Sequence, residues 1–555
     1  ISSYIVHEQM NRECCVSCHD HPQVFLLARV CTLKRNMYFH VCCAILRLRL
    51  PLTAYSQPCS HQHCEQAVET EDASLLQYSR LQKGSTTAVN LDTTSTTGIS
   101  KPPAISEDAR TNQLLWSRRV KKTHDSGFRL PALGWNSWNQ YLVDVNESVV
   151  LGIVTAMNSS GLGQSGFEYI IVDDGWASPA RDSAGRLQAD PSKFPRGMRH
   201  LSREIHRLGL KFGIYTSVGQ ITCSGLQPGS MHHYEVDAET FAEWEVDYVK
   251  IDRCGWPTEL PGMPGIDKSD LPQLAGMIVG ADHPKMSRKV TGSRRIQGFQ
   301  QFSKALNNTD RTIFLEACDW GLDNTTSWAP RISNSFRVTW DAFPQWHRVM
   351  EIIECFAELA AIPASTSPIA FAFADMLEVG VDGNVMNRRF LFTSSLTERE
   401  SLTQLSLMAM WSSPLIIGFD VGDPQKAWAV AMLRNRMLLE INQDPLAICA
   451  RLAIRSKSHE PCWHCRHTDV WVKPLKDGSV AVALVNMADS YSQHSMRYKT
   501  ETIVVPWSAL DLNATASVDV HSATEQKSMG TMVGSVSIDV RPHETVVLVL
   551  SPRRI

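Results

Sequence analysis

Five apolar runs in this chain end in a group able to handle a proton or a hydroxyl. They are Tyr169–Asp174, Lys211–Tyr215, Tyr248–Asp252, Ile313–Asp319 and Ser335–Asp341. Strand side chains alternate with period two, so Tyr248, Lys250 and Asp252 share one face, and a cation stands beside the terminal acid. Several such ends meeting at one point would supply what glycosidic-bond cleavage requires, one carboxylate to attack and one carboxyl to donate a proton. Taken singly, each acid is a helix cap or a solvated loop residue. Taken together with Trp138, Trp176, Tyr215 and Trp320, they suit a pyranose, whose C–H face stacks on rings while its hydroxyls donate to acids.

Those ends need a scaffold that brings them together. From Leu130 onward, strand-like runs alternate with helix-like ones. Met198, Leu201, Ile205 and Leu208 form an apolar stripe at helical spacing. Gly209 ends that helix, and Asp237 is expected to cap the next, whose Phe241 and Trp244 face inward. Eight strands are expected, near 133–138, 169–173, 211–215, 248–252, 313–319, 335–341, 369–375 and 414–418. Strand, helix and strand in repetition predict the α/β class and a (β/α)8 TIM barrel, whose active site lies at the carboxyl ends of the strands. After about residue 450 the pattern turns to strict alternation, with an Asp477-Gly478 turn between Asp469–Val472 and Val480–Val485 and a closing Thr545–Leu550 run. That predicts a C-terminal antiparallel β-sandwich.

The 555 residues exceed what one hydrophobic core normally supports. Three parts are expected: an N-terminal extension over 1–126, a catalytic barrel over 127–450 and the sandwich over 451–555. A net charge of −3 points to neither nucleic acid nor an anionic membrane as partner. No apolar stretch is long enough to span a bilayer. Eight of the 15 cysteines precede residue 65. Cys15, Cys18, His61 and Cys64 could seat a zinc ion, but the simpler reading is a poorly ordered extension, a propeptide or a mistaken start of translation. No metal or other cofactor is expected.

Gly134–Asn139, Asp173-Asp174-Gly175-Trp176, Arg181–Asp190, Lys211–Tyr215, Tyr248–Asp252 and Ile441–Leu446 together resemble the alpha-galactosidases (melibiases) of glycoside hydrolase family 27, in the right order from about Leu130 to the C-terminus. The resemblance implies retaining, double-displacement release of terminal alpha-linked galactose from a galactose-containing oligosaccharide. It assigns Asp252 as nucleophile and Asp341 as general acid/base, Asp173 and Asp174 to the sugar's O6 and O4, and Lys250 to O3 and O4. It further places Asp319 at O2, Arg337 at O2 and O3, and Trp138, Tyr215 and Asp375 along the pocket. Cys223 and Cys254 match a family disulfide.

Elementary electrostatics adds expectations. Lys250 should hold the pKa of Asp252 low, and the less polar setting of Thr339 and Trp340 should raise that of Asp341. Arg337 should be tied to bound hydroxyls; direct pairing with Asp341 would instead favour that acid's ionised form. A carboxylate at Asp319 would crowd a 2-acetamido group and so favour galactose. Three departures stand out. Ile369–Ala374 replaces the family's usual Gly-Gly-x-Asn-Asp-type segment before Asp375-Met376-Leu377. The Pro/Gly-rich stretch from 255 to 297 is either a lid or, the reading preferred here, a tolerated surface insertion. Arg253 directly follows the nucleophile, where it contacts substrate or points away.

Other readings remain at this point: an alpha-N-acetylgalactosaminidase or beta-L-arabinopyranosidase of the same fold, a galactose-binding relative that no longer turns over, or a metal-dependent barrel hydrolase. Five Asn-x-Ser/Thr sequons, at Asn146, Asn158, Asn307, Asn324 and Asn513, fit a secreted glycoprotein. Cys462 and Cys465 could form a small loop disulfide. Assembly into a homo-oligomer is left open.

Overall fold

Strands β1 (Leu133–Asn136), β2 (Tyr169–Val172), β3 (Lys211–Ser217) and β4 (Tyr248–Asp252) pair in parallel in chain order. A small hairpin, β5 (Glu259–Leu260) and β6 (Met263–Asp267), interrupts the series. It resumes with β7 (Phe314–Cys318), β8 (Ser335–Arg337), β9 (Phe371–Phe373) and β10 (Leu415–Ile417), and β10 returns to pair with β1. A single parallel bridge from Leu377 to Ile417 joins the segment after β9 to β10. The chain is described here by a computed structural model that covers residues 128–260, 263–267, 293–360, 370–383, 395–456, 468–488 and 499–553. The extension before 127, with its candidate zinc ligands, and the Cys462–Cys465 pair lie outside those residues.

Strands covered on both faces read as continuous apolar runs, and β2, Tyr-Ile-Ile-Val, is buried at every position. Helix α1 (Glu147–Ser159) follows β1, and the side chain of Asn146 caps it by accepting from the Val149 N–H. In α2 (Met198–Arg207) the stripe Met198, Leu201 and Ile205 is buried, and Gly209 at φ 78° ends the helix in a backbone conformation that suits glycine. The expected Asp237 cap is corrected: α3 runs Tyr234–Glu243 with His233 at the cap position. Asp237 is instead buried in the first turn, where both its oxygens accept from Arg181. That ion pair fastens α3 to the Arg181–Asp190 loop. Further helices α4 (Ser293–Asn307), α5 (Trp346–Ala360) and α6 (Glu398–Met410) cover the outside of the barrel, and α7 (Ala427–Leu433) and α8 (Arg436–Asn442) follow β10.

The C-terminal part is antiparallel. A six-stranded sheet in the order β11 (Arg451–Arg455), β12 (Thr468–Pro474), β13 (Val480–Asn486), β18 (Thr545–Pro552), β15 (Ser517–Ser522), β16 (Lys527–Val533) faces a two-stranded ribbon of β14 (Glu501–Pro506) and β17 (Ser535–Val540). The Asp477-Gly478 turn joins β12 to β13 as expected. One face of this region joins the barrel core through Trp471, which meets Trp411 edge-on, while Trp411 stacks on Phe356 of α5.

Candidate active site

A pocket at the carboxyl ends of the barrel strands is lined by Trp138, Asp173, Asp174, Tyr215, Lys250, Asp252, Trp320, Arg337, Asp341 and Asp375, with Asn139, Cys223, Ala342, Phe343 and Met376 filling between them. Nine of the ten residues the sequence reading placed in the site, excluding the disulfide cysteines, thus converge from different strands. Asp319 does not line the pocket.

Asp252 ends β4 at the closed end, with 5% of its surface exposed, and accepts from the Arg253 N–H at 2.8 Å and from the Tyr215 hydroxyl at 3.4 Å. Asp341 stands at the mouth with 48% of its side chain exposed. The two acids therefore occupy different depths of one cavity.

Lys250 does not pair with Asp252. Its Nζ lies 2.8 Å from Asp173 Oδ2, which also accepts from Asn136 Nδ2 at 2.7 Å. The expected low pKa of Asp252 is corrected accordingly: burial, only partly opposed by Lys250, pushes it up to about 7. The neighbouring negative charge of Asp341 adds to the rise. For Lys250, burial works against the charge, yet the surrounding anions, Asp173 foremost, hold its pKa well above the ordinary lysine value.

Arg337 contradicts a second expectation. Its Nη2 lies 3.1 Å from Asp341 Oδ1 and its Nη1 lies 2.8 Å from Asp375 Oδ1, so the guanidinium bridges two acids. Asp341 accordingly sits against a cation and solvent rather than in the apolar setting that Trp340 suggested. Asp375 holds its place despite the altered seventh strand. The Ala342 and Met376 N–H groups donate to it at 2.6 and 2.7 Å, and its backbone takes φ 80°, a strained value for a residue with a Cβ.

Residues that the sequence reading missed orient the deeper acids. Asp174 accepts from Thr222 Oγ1 at 2.9 Å and from the Ser224 N–H at 2.8 Å. Both belong to the loop that carries Cys223, and Cys223 is bonded to Cys254, two residues past the nucleophile. One disulfide thus ties the loop that fixes Asp174 to the loop that follows Asp252. Beneath the pocket, Glu316 faces inward beside Lys250 in the sheet register and takes a short hydrogen bond from the Tyr248 hydroxyl. Burial, partly offset by Lys250, raises its pKa to about 6. The motif Gly134–Asn139 carried the signal for Asn136; nothing local in the sequence marks Glu316, Thr222 or Ser224.

The Asp319 side chain turns away from the pocket. It is wholly buried, accepts from Thr325 Oγ1 at 2.9 Å, and lies 3.6 Å from Arg253 Nη1. The exclusion of a 2-acetamido group, argued from this carboxylate, therefore has no basis in its position here. Arg253, also fully buried, reaches Asp323 at 3.6 Å, and Arg295 of α4 lies 2.9 Å from Asp267 of the hairpin and 3.7 Å from Asp323. The described arm of the 255–297 stretch is therefore no surface insertion: Leu260 and Ile266 pack with Cys254, Trp320 and Leu322. Among the described residues, the one group able to gather metal ligands is Cys223, Asp252 and Cys254, and two of its members are spent on the disulfide.

Comparison with known proteins agrees with this geometry. Residues 130–270 and 279–444 match the family model described as Alpha galactosidase A, and residues 466–550 match the Alpha galactosidase C-terminal beta sandwich domain. Alpha-galactosidase 2 of Arabidopsis thaliana is 31% identical over 76% of this chain and 90% of its own length. Alpha-galactosidase of Cyamopsis tetragonoloba is 31% identical over 76% and 86%. The crystal structure of alpha-galactosidase I from Mortierella vinacea superposes with a TM-score of 0.63 at 26% identity, covering 77% of this chain and 98% of that one.

Proposed function

We infer the reaction from the family to which this chain belongs, the alpha-galactosidases of glycoside hydrolase family 27: it is a glycosidase that releases terminal alpha-linked galactose from galactose-containing substrates. The retaining route assigns the two acids by depth. Asp252, held at the closed end, attacks the anomeric carbon; Asp341, at the mouth, protonates the departing oxygen and later activates the water that enters by the same opening. The observation that carries this reading is the placement of one buried and one half-exposed carboxylate in the same aromatic-lined pocket.

Arg337 fits the scheme as a switch partner. It pairs with Asp341 and Asp375. Sugar hydroxyls at O2 and O3 would compete for its five N–H donors, which lets Asp341 take up the proton it must deliver. The scheme requires Asp252 as the ionised nucleophile and Asp341 as the proton donor. Asp173, Asp174 and Lys250 take the hydroxyls on the far side of the ring, with Trp138 and Tyr215 as its walls. The extension, the barrel and the sandwich divide at about residues 127 and 450. A secretory route is supported by the Cys223–Cys254 bridge and by the exposed sequon residues Asn307 and Asn513. Among the described residues, no helix is long and apolar enough to cross a membrane.

The test is hydrolysis of 4-nitrophenyl alpha-galactoside, with the anomer first released followed by NMR. The wild-type protein should release alpha-galactose first, and Asp252→Asn should form no glycosyl-enzyme. First release of the beta anomer, or equal rates in the two proteins, would end the double-displacement assignment.

A further inference from the structure

Asp341 has to deliver and retrieve a proton from a half-exposed position, and its own side chain is held there by little. Among the described residues its carboxylate has one partner, Arg337 at 3.1 Å, and the hydroxyls of a bound sugar compete for that guanidinium. During turnover the acid is therefore placed chiefly by the peptide that carries it. Placement matters, because a shift of about 1 Å in a reacting group can cost about a hundredfold in rate.

That peptide is gripped from two sides. The N–H of the next residue, Ala342, donates to Asp375 Oδ2 at 2.6 Å, and the Asp341 carbonyl oxygen accepts from Arg348 Nη2 at 2.8 Å. Arg348 stands in the first turn of α5, and its Nη1 pairs with Glu351 three residues on. Its side chain is only 13% exposed. Burial works against its charge, yet the surrounding anions, Glu351 foremost and Asp341 among them, hold its pKa above the ordinary arginine value. The stability of α5 does not explain this residue. A cation in the first turn meets the positive end of the helix dipole, and an ion pair at that spacing returns little. What the guanidinium secures is the loop between β8 and α5, at the residue that carries the acid.

We propose that Arg348 is the positioning residue of the general acid: through the Asp341 carbonyl it sets where the Asp341 carboxyl meets the scissile oxygen, and Glu351 aims it. Arg348 itself does not line the pocket, so it acts on the sugar only through Asp341. In the first step the glycosidic C–O bond breaks as an Asp252 oxygen bonds to the anomeric carbon, and the Asp341 proton passes to the departing oxygen. Arg348 bears on that proton alone. The inference rests on the galactosidase reading and deepens it, from which group is the acid to which group places it.

The test uses two galactosides that differ in how much help the leaving oxygen needs. 4-Nitrophenolate departs as a stabilised anion, whereas methanol departs only if its oxygen is protonated. Arg348→Met, which keeps the apolar stem and removes the donors, should lower kcat/KM for methyl alpha-galactoside by about thirtyfold and for 4-nitrophenyl alpha-galactoside by less than about threefold. The ratio of the two values thus moves by about tenfold or more, a change that loss of packing or of sugar binding would not produce. Equal losses on both substrates would show that Arg348 acts through the fold, and would overturn the proposal. So would a wild-type ratio in Arg348→Met. If that variant does not fold, Glu351→Gln decides: the ratio should move in the same direction by about two- to fivefold, and an unchanged ratio would overturn the proposal. Failure of the wild-type protein to cleave the nitrophenyl substrate would strike the galactosidase reading itself, a result obtained before any variant is compared.

Discussion

Two lysines are buried among the described residues, and they answer the cost of a buried charge in opposite ways. Lys250, on the floor of the pocket, is surrounded by carboxylates and pairs with Asp173 at 2.8 Å, so its charge is held firmly. Lys473, on β12 of the sandwich, contacts no carboxylate among the described residues. Its Nζ donates to Ser412 Oγ at 2.7 Å and to the carbonyls of Ala409 and Ile441, which lie near the C-terminal ends of α6 and α8. Burial, only partly opposed by Cys449 and the charge of Asp444, pulls its pKa down to about 8. Helix C-termini offer partial negative charge and orphan carbonyls, enough to dock an ammonium but not to hold its proton against desolvation. Surplus acid accompanies the lysine whose surroundings do chemistry; carbonyls accompany the one that holds two parts of the chain together.

The largest expected effect removes an acid from the crowded region. Asp252→Asn should cost at least about 10⁴-fold in kcat with 4-nitrophenyl alpha-galactoside, since an amide cannot form the covalent intermediate. The same variant should be more heat-stable at neutral pH. Asp252 keeps its proton in the folded state up to about pH 7, whereas the unfolded chain releases it near 3.8. Wild-type stability therefore falls as pH rises through that window. The melting-temperature gain of Asp252→Asn should be absent at pH 3.5 and full at pH 8, and a gain that shrinks with rising pH would contradict the buried, raised acid.

Next comes Lys250→Met, which strands Asp173 without its cation. Breaking a buried pair costs roughly 3–5 kcal/mol, and we expect loss of stability together with a fall in kcat/KM of at least about a hundredfold. Retained activity would remove Lys250 from the site.

Reduction of the Cys223–Cys254 bridge, which closes 31 residues of sequence separation, should destabilise by roughly 3–4 kcal/mol in the chain-entropy picture. Because the bridge steadies the loop that holds Asp174, KM should rise more than kcat falls; a pure kcat effect would place the disturbance at Asp252 instead.

The smallest effect belongs to the sandwich lysine. Lys473→Met should cost about 1–3 kcal/mol in a denaturant melt by leaving carbonyls unpartnered, with kcat/KM within about twofold of wild type. Its sign with pH is opposite to that of Asp252. The folded protein releases this proton near 8 and the unfolded chain near 10.5, so the desolvation cost borne by the wild type is relieved as pH rises between them. The wild-type advantage over Lys473→Met should widen in that interval. A narrowing would mean that Lys473 is held charged by a partner other than these carbonyls.

Much of this was legible in one dimension. Strand positions were readable because burial on both faces leaves continuous apolar runs, and the acids that close those runs fall at the barrel mouth by topology alone. The disulfide and nine pocket residues followed from the resemblance to the alpha-galactosidases. Partners were not legible. Lys250 sits two residues from Asp252 on one face, which suggested a pair, yet the ammonium crosses to Asp173 on another strand. Arg337 and Asp341 are four apart with a half-exposed acid at the end, and whether they touch depends on a loop that the pattern does not describe. Arg253 and Asp319 look like site residues by adjacency, but the hairpin and α4 draw them into a buried ion cluster whose members are spread from Arg253 to Asp323.

By itself, then, the order of residues determined which groups reach the mouth of the barrel, because alternation along a strand and parallel pairing between strands are local rules. Which charge meets which, and hence which acid holds a proton, was decided only by the folded chain. Electrostatic energy depends on separation and on exclusion of water, and both are set by residues far apart in sequence that approach within a few ångströms.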